Sequence, residues 1–167
     1  MFSKINIFKI IKDHLRTLRN VRTGRFSYAD LFLFFGLPII AGIYFGIVDR
    51  LCISENYTNF LIASISIIAG FLFNLLAIVF GIMDKIKVNT EKDPVKKKLA
   101  LEIHSNIAFN ILLALFSVVF LLFVNNDNSH VALVANAAAI TLCISFFLTI
   151  LMVLKRVYII MSKDGEV

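Results

Sequence analysis

The chain has 167 residues, of which 59% are hydrophobic and only 17% are charged. Soluble domains are about half apolar and about a quarter charged, so this composition excludes an ordinary soluble fold and favours a membrane protein. The net charge of +6 is compatible with nucleic-acid binding, but basic residues that flank apolar spans explain it more simply.

The first element in chain order is a basic amphipathic helix within residues 1–26. Helical spacing places Ile7, Ile11 and Leu15 on one face. The other face carries Lys9, Lys12, Arg16 and Arg19. This pattern is typical of a helix that lies along the inner leaflet, where each basic residue contributes about 1 kcal/mol of attraction to anionic lipid. The alternative is a cytosolic helix that packs on a partner or on residues 94–100.

Four apolar segments follow, and each reaches or comes near the roughly 20 residues that a helix needs to cross about 30 Å of hydrocarbon. They are residues 31–48, 60–83, 105–124 and 131–154, and none contains Asp, Glu, Lys or Arg. We therefore predict an all-α polytopic membrane protein with four transmembrane helices in an antiparallel bundle over residues 27–154. A cytoplasmic loop at 84–104 and a cytoplasmic tail at 155–167 complete the predicted organisation.

The apolar segments divide the seventeen Lys and Arg residues unevenly between the two sides of the membrane. Sixteen lie before the first segment, between the second and third, or after the fourth, and only Arg50 lies on the other side. The positive-inside rule therefore predicts that both termini and the 84–104 loop are cytoplasmic. Lys96, Lys97 and Lys98 belong to the same basic collar, which we expect to contact the membrane surface or a partner.

Small and uncharged polar residues recur three or four positions apart in every span. They are Gly42 and Gly46 in the first, Ser66, Gly70 and Asn74 in the second, Asn106, Asn110 and Ser117 in the third, and Thr141 and Ser145 in the fourth. Such stripes predict the protein-facing sides, because small residues let helices approach closely and buried amides and hydroxyls hydrogen-bond across them. In the alternative interpretation, the polar residues line a pore or ligand cavity. Asn74 and Asn110 have similar predicted depths, so we expect them to lie near each other.

The sequence offers little support for catalysis. His14, His104 and His130 lie on different sides of the predicted bilayer, and the two cysteines do not form a pair. The chain has no Gly-rich phosphate loop and no nucleophile elbow. Its basic residues also lack the interleaved aromatics of a nucleic-acid groove. We therefore expect a non-enzymatic protein without a metal ion, a cofactor or a nucleic-acid partner.

Two classes of function remain. One is a homo-oligomeric sensor or anchor subunit that recruits a cytosolic partner, and the other is a small oligomeric channel or membrane-permeabilising effector. A small-solute transporter is disfavoured, because no ionisable residue lies inside a predicted span.

In size, span number and a composition rich in Lys, Ile, Phe and Asn, the chain resembles the small four-span membrane components of bacterial anti-phage defence systems, such as the membrane subunit of the Kiwa system. That resemblance implies a protein of the bacterial inner membrane that senses infection or damages the membrane alongside a cytosolic partner. It rests on no aligned motif, so it assigns no functional residue.

Overall fold

A computed structural model describes residues 7–18, 28–49, 51, 53–88 and 94–164, and every regular element within them is helical. The helices are α1 (Ile7–Thr17), α2 (Tyr28–Leu31), α3 (Leu37–Ile43), α4 (Glu55–Val88), α5 (Pro94–Leu122) and α6 (Ser129–Asp164), with π-helical turns at Phe32–Gly36 and Tyr44–Val48. Four helical stretches are long and apolar enough to cross a membrane: Tyr28–Val48, Glu55–Gly81, Lys98–Leu122 and Ser129–Ile159. The prediction of an all-helical chain with four potential spans is confirmed.

The first spanning stretch, Tyr28–Val48, is continuous but contains a widened turn before its proline. The N–H of Leu37 donates to the carbonyl of Phe32, five residues back. The next residue, Pro38, has no N–H to donate, and its ring would clash with the carbonyl of the preceding turn in a regular α-helix. The π-helical turn thus accommodates the proline without ending the helix.

The four spanning stretches pack side by side in a row. α4 lies against α5, α5 lies against α6, and α6 lies against Tyr28–Val48. Among the described helices, α4 packs on α5 alone. Half of the most apolar part of α5 is buried, against 17% of that of α4. α5 is therefore the central helix, and α4 is an edge helix whose surface mostly faces outwards.

A continuous apolar core joins the three long helices. Its buried members include Ile65, Leu72 and Val79 from α4, Ile103, Ile107 and Leu121 from α5, and Ala139, Phe146 and Val153 from α6. The end of α5 lies beside the start of α4. Asn125, just after α5, donates to the hydroxyl of Thr58 near the start of α4, over 3.4 Å.

Several element boundaries differ from the predicted ones. α6 continues to Asp164, so the predicted tail at 155–167 begins as helix, and α4 runs on to Val88, into the predicted 84–104 loop. Both extensions are rich in Lys and Ile, and helices composed of such residues need not end where the hydrocarbon ends. Arg19 and the rest of the predicted linker before residue 27 lie outside the described residues.

Candidate functional site

The two glycines of the first spanning stretch pack directly on α6. A Cβ atom at Gly46 would lie 2.6 Å from the Cβ of Ala137 and 2.8 Å from its backbone nitrogen. A Cβ at Gly42 would lie 2.7 Å from the carbonyl oxygen of Ala137 and would also overlap the side chain of Thr141. Since backbone atoms cannot move aside cheaply, these positions accept no residue larger than glycine without a shift of the helices. Gly42, Gly46 and Thr141 therefore form a close contact within one chain.

At the other end of the same helices, α1 docks on α5 through a buried histidine. Nδ1 of His14 donates to Oδ1 of Asn106 over 2.9 Å, and the His14 ring stacks on Phe109 with centroids 3.9 Å apart. Phe35, from the first spanning stretch, lies against the same two rings. The hydroxyl of Thr17 lies 2.8 Å from Oδ1 of Asn106 and 2.7 Å from the carbonyl of His14, and donates its hydrogen to one of them.

Arg156 ties α6 to both α1 and α5 at this point. One guanidinium nitrogen donates to Glu102 over 2.9 Å, and the other donates to the backbone carbonyl of Thr17 over 2.8 Å. Both side chains of the Arg156–Glu102 pair are largely buried, at 15% and 16% exposure. Partly buried charge-assisted bonds of this kind are stronger than surface ion pairs. We name the group formed by His14, Thr17, Asn106, Glu102 and Arg156 the inner polar cluster.

The histidine of the inner polar cluster is held neutral. Burial lowers the pKa of His14 from 6.5 to about 4, the hydrogen bond that His14 donates to Asn106 opposes this shift, and the positive charge of Arg156 adds to it. With Nδ1 donating to Asn106, Nε2 carries the lone pair, and Nε2 is buried with no hydrogen-bond partner in the described chain. Protonation would place a charged donor where nothing accepts it.

The polar stripe of α5 lies inside the protein. Asn106, Asn110 and Ser117 are all fully buried. Ser117 donates to the carbonyl of Leu113 within α5 over 2.8 Å, whereas neither amide atom of Asn110 has a hydrogen-bond partner among the described residues. In a single chain, this stripe is therefore buried between packed helices.

The stripe of α4 has the opposite placement. Ser66, Gly70 and Asn74 are exposed, and they lie on the side of α4 opposite its core residues Ile65, Leu72 and Val79. A Cβ at Gly70 or at Gly81, further along the same stripe, would meet no atom of the described chain within 4 Å. We name the exposed residues Ala63, Ser66, Gly70, Asn74, Ala77 and Gly81 the open face of α4.

The predicted proximity of Asn74 and Asn110 does not lead to a hydrogen bond between the two amides within a chain. Asn110 is buried on α5 without a partner, while Asn74 is exposed on the far side of α4. The prediction matched the depths of the two residues along their helices and left out the rotation of α4. α4 turns its aliphatic side to α5, where these side chains pack closely with the core residues of α5 and α6.

The basic residues divide between the described and undescribed parts of the chain. Lys9, Lys12 and Arg16 are exposed on α1, and Arg16 pairs with Asp13 on the same helix over 3.5 Å. Lys98 is exposed on α5, while the side chains of Lys96 and Lys97 lie outside the described part. Phe8 of α1 is 84% exposed beside these cations. The exposed side of α1 thus keeps the residue types of a membrane-surface helix.

A cavity of about 300 Å³ lies at the end of the bundle opposite the inner polar cluster, among residues that precede α4, follow α5 and begin α6. Its polar lining includes Asn125, Ser129 and Asn136. The amide nitrogen of Asn136 donates to the carbonyl of Leu51, which ties the segment before α4 to α6. Asn136 therefore acts first as a structural tie at this end.

Several residues of the two polar sites were not identified from the sequence. Thr17 and Arg156 belong to the inner polar cluster, and Phe109 stacks on its histidine. Ser145 is half-buried, and its carbonyl accepts from the hydroxyl of Thr149 over 2.8 Å. Arg156 lies only two residues beyond the apolar segment that ends at Leu154. A basic residue so close to the end of an apolar helical segment was the available sign that its side chain has a polar partner on a neighbouring helix. Among the described residues, no group of three or more His, Cys, Asp or Glu side chains is placed to hold a metal ion.

Comparisons of the chain with models of known protein families, with curated proteins and with solved structures give no match. The function of this protein is therefore inferred from the geometry of the chain.

Proposed function

We propose that this protein is a non-enzymatic integral membrane protein that self-associates, and that two or more copies meet through the open face of α4. The observation that carries the proposal is the position of Asn74, an exposed amide within the spanning stretch Glu55–Gly81. Asn74 lies seven residues before Gly81, which is about 10 Å along the helix. In a bilayer the amide is therefore well inside the hydrocarbon.

An exposed asparagine at that depth favours a protein partner over lipid. Lipid tails offer neither donors nor acceptors, so an amide that faces them loses the hydrogen bonds it makes in water. The asparagine side chain both donates and accepts, so Asn74 of one copy can pair with Asn74 of another. Interhelical bonds of this type contribute about 0.6 to 2 kcal/mol in membranes.

The steric profile of the open face suits the close approach of a second helix. Ser66, Gly70 and Asn74 follow one another at four-residue intervals, so they lie one above the other along the helix. Gly70 has open space where a Cβ would be, so the backbone of a neighbouring helix could come into direct contact there. The core side of α4 packs on α5 independently, so self-association requires no rearrangement of the chain.

The cytoplasmic side of the proposed subunit combines a lipid-binding and a partner-binding role. In the proposed orientation, both termini and α1 lie on the inner side of a bacterial inner membrane, and the four spans form an antiparallel arrangement. The exposed cations Lys12, Arg16 and Lys98 then face anionic headgroups or an acidic cytosolic protein. The resemblance to anti-phage membrane components supports a sensor or anchor that recruits such a partner.

Self-association can be tested by single-molecule photobleaching of labelled protein in liposomes over a range of protein-to-lipid ratios. We expect Asn74→Leu to weaken association about threefold to thirtyfold, the equivalent of one interhelical amide bond. Phe71→Leu is the matched control, because Phe71 is exposed on α4 but lies outside the open face. A wild-type protein that stays monomeric at every ratio, or an equal loss in the control, would contradict the proposal.

A channel is the second candidate function, and the same asparagine is the observation that favours it. In an assembly of three or more copies around one axis, Asn74 would form a polar ring at membrane depth. Ion flux from liposomes containing the purified protein separates the two candidates. Flux that Asn74→Leu abolishes and Asn110→Leu preserves would support the channel. Absence of flux, together with intact association, would support the sensor or anchor.

The proposed orientation has a separate test. Reporter fusions that are active only in the cytoplasm or only outside it can be placed after residue 90 and after the C-terminus. We expect both positions to report the cytoplasm, because sixteen of the seventeen Lys and Arg residues lie on that side of the predicted spans. An outside signal at either position would contradict the orientation without bearing on self-association.

A further inference from the structure

The contacts of α1 point to a conformational switch at the inner polar cluster. We propose that α1 is a detachable latch on α5, which stays docked while His14 is neutral and is released when the His14 ring is protonated. The proposal goes beyond self-association and does not depend on it, because all the groups involved belong to one chain.

The docked position depends on a small number of directional contacts. α1 has eleven residues, and His14 and Thr17 supply its side-chain hydrogen bonds to α5. α6 adds a further tie, the bond from Arg156 to the carbonyl of Thr17. An isolated helix of this length is marginal in water, so its docked position depends on these contacts and on the burial of Leu18 and Ile10 against the core.

The tautomer of His14 makes the contact sensitive to protonation. Oδ1 of Asn106 can only accept, so Nδ1 carries the hydrogen and Nε2 carries the lone pair. Nε2 is buried without a partner among the described residues. A proton added there would be a charged donor with no acceptor, on a ring that is stacked on Phe109 and has Phe35 beside it. Leaving the site restores hydration to the ring, so protonation favours release.

The charged groups around His14 strengthen this preference. From α6, Arg156 repels a second positive charge. Glu102 on α5 is already paired with Arg156, and Asp30 on the first spanning stretch also acts on Arg156. His104 lies two residues before Asn106 and thus on the other side of α5. On α1 itself, Asp13 pairs with the exposed Arg16. No acidic group in the described chain is therefore placed to compensate a charged His14.

The direction of the pH dependence follows from the lowered pKa. The released state has the ordinary histidine pKa of 6.5, and the docked state has a pKa of about 4. Between these values the released state binds more protons, so docking is complete above pH 6.5 and weakens as the pH falls. The docking constant is expected to drop about tenfold for each pH unit within this window, or about 30-fold at pH 5.

Release would expose a different surface on α5. Asn106 and Phe109, now covered by α1, would become accessible, and α1 would be free to place Phe8 and its cations on lipid or on a partner. The latch therefore links a change of pH on that side of the membrane to the presentation of a basic amphipathic helix.

The switch can be measured as a distance between spin labels at Phe8→Cys on α1 and Tyr158→Cys on α6, two exposed positions, in a background with Cys52→Ser and Cys143→Ser. Labelled protein is diluted with unlabelled protein and carries Asn74→Leu, so the distance is measured within one chain whether or not copies associate. We expect one narrow distance distribution at pH 8 that broadens and lengthens towards pH 5.

Two variants determine whether His14 is responsible. His14→Gln keeps a donor for Asn106 and cannot be protonated, so its distance should be independent of pH. His104→Gln is the matched control and should behave like the parent protein. A parent distance that is constant from pH 8 to pH 4.5, or a pH response that survives in His14→Gln, would overturn the proposal. Because association is measured separately, failure of the latch would leave the proposed self-association standing.

Discussion

Two small-residue faces of this protein look alike in sequence and differ in what they contact. Gly42 and Gly46 of the first spanning stretch press on Ala137 and Thr141 of α6 so tightly that a Cβ has no room. Ser66, Gly70 and Asn74 of α4 repeat the four-residue spacing, yet they face outwards, and Gly70 has no neighbour within 4 Å among the described atoms. The first face has its partner within the chain, and the second has none.

The difference teaches that small-residue spacing identifies a surface suited to close helix contact but not the helix that makes the contact. The position of each helix in the row decides the outcome. The first spanning stretch packs mainly on α6 and uses its glycines there, whereas α4 packs on α5 with its aliphatic side. In a membrane, where apolar burial gives no preference between lipid and protein, the open face of α4 favours a second copy.

The largest expected effect comes from one substitution made on both faces. Gly46→Leu should destabilise the fold by about 3 kcal/mol or more, because the new side chain overlaps backbone atoms of Ala137. Gly70→Leu should leave the stability of the single chain unchanged or slightly higher, because leucine is a better helix former and meets nothing. Thermal unfolding in detergent measures both variants. Equal losses would show that the two faces do not differ within one chain.

A second prediction concerns the polar tie at the other end of α6 from the tightly packed face. Arg156→Gln removes the bond to Glu102 and the bond to the Thr17 carbonyl, and leaves a largely buried carboxylate without its partner. We expect a loss of about 2 kcal/mol in stability, with most of it recovered in the double variant with Glu102→Gln. Denaturant titration in detergent checks this outcome. A double variant as unstable as the single one would mean that the bond to α1, and not the ion pair, accounts for the loss.

The smallest effect is expected for Asn110→Leu. The side chain is fully buried and neither of its polar atoms has a partner among the described residues, so an apolar residue of similar volume removes an unsatisfied amide. Stability should change by less than about 1 kcal/mol or should rise. A clear loss in unfolding experiments would show that Asn110 has a hydrogen-bond partner, and it would bring the stripe of α5 closer to a functional cavity.

The sequence contains enough information for the helices and too little for their rotations. Long uncharged segments can only satisfy their backbone groups as helices in a bilayer, so four potential spans were predictable from residue counts alone. Polar stripes on α4 and α5 looked equivalent, yet Asn110 is buried and Asn74 is exposed. Which side of a helix turns inwards depends on the shapes of the neighbouring helices, and the sequence of one helix does not specify those shapes.

The inner polar cluster shows the same limit across larger separations. Asn106 appeared in the sequence as part of a stripe and His14 as a boundary residue, but nothing indicated that they would bind each other across 92 positions. Lys12 and Arg16 were correctly placed on a separate face of α1, because amphipathic periodicity is local. The docking of that helix depends on the bundle that receives it.

Disulfide cross-linking along α4 tests the central claim most directly. Single cysteines at Ser66→Cys, Gly70→Cys and Asn74→Cys are compared in lipid with Phe71→Cys and Phe80→Cys, two exposed positions that flank the open face, in a chain without native cysteines. Two copies that meet at the open face bring identical positions of that face together. We predict cross-linked dimers at Gly70→Cys and its stripe neighbours and few at Phe71→Cys or Phe80→Cys. Cross-links that are absent from the stripe, or equally frequent at all five positions, would contradict the account.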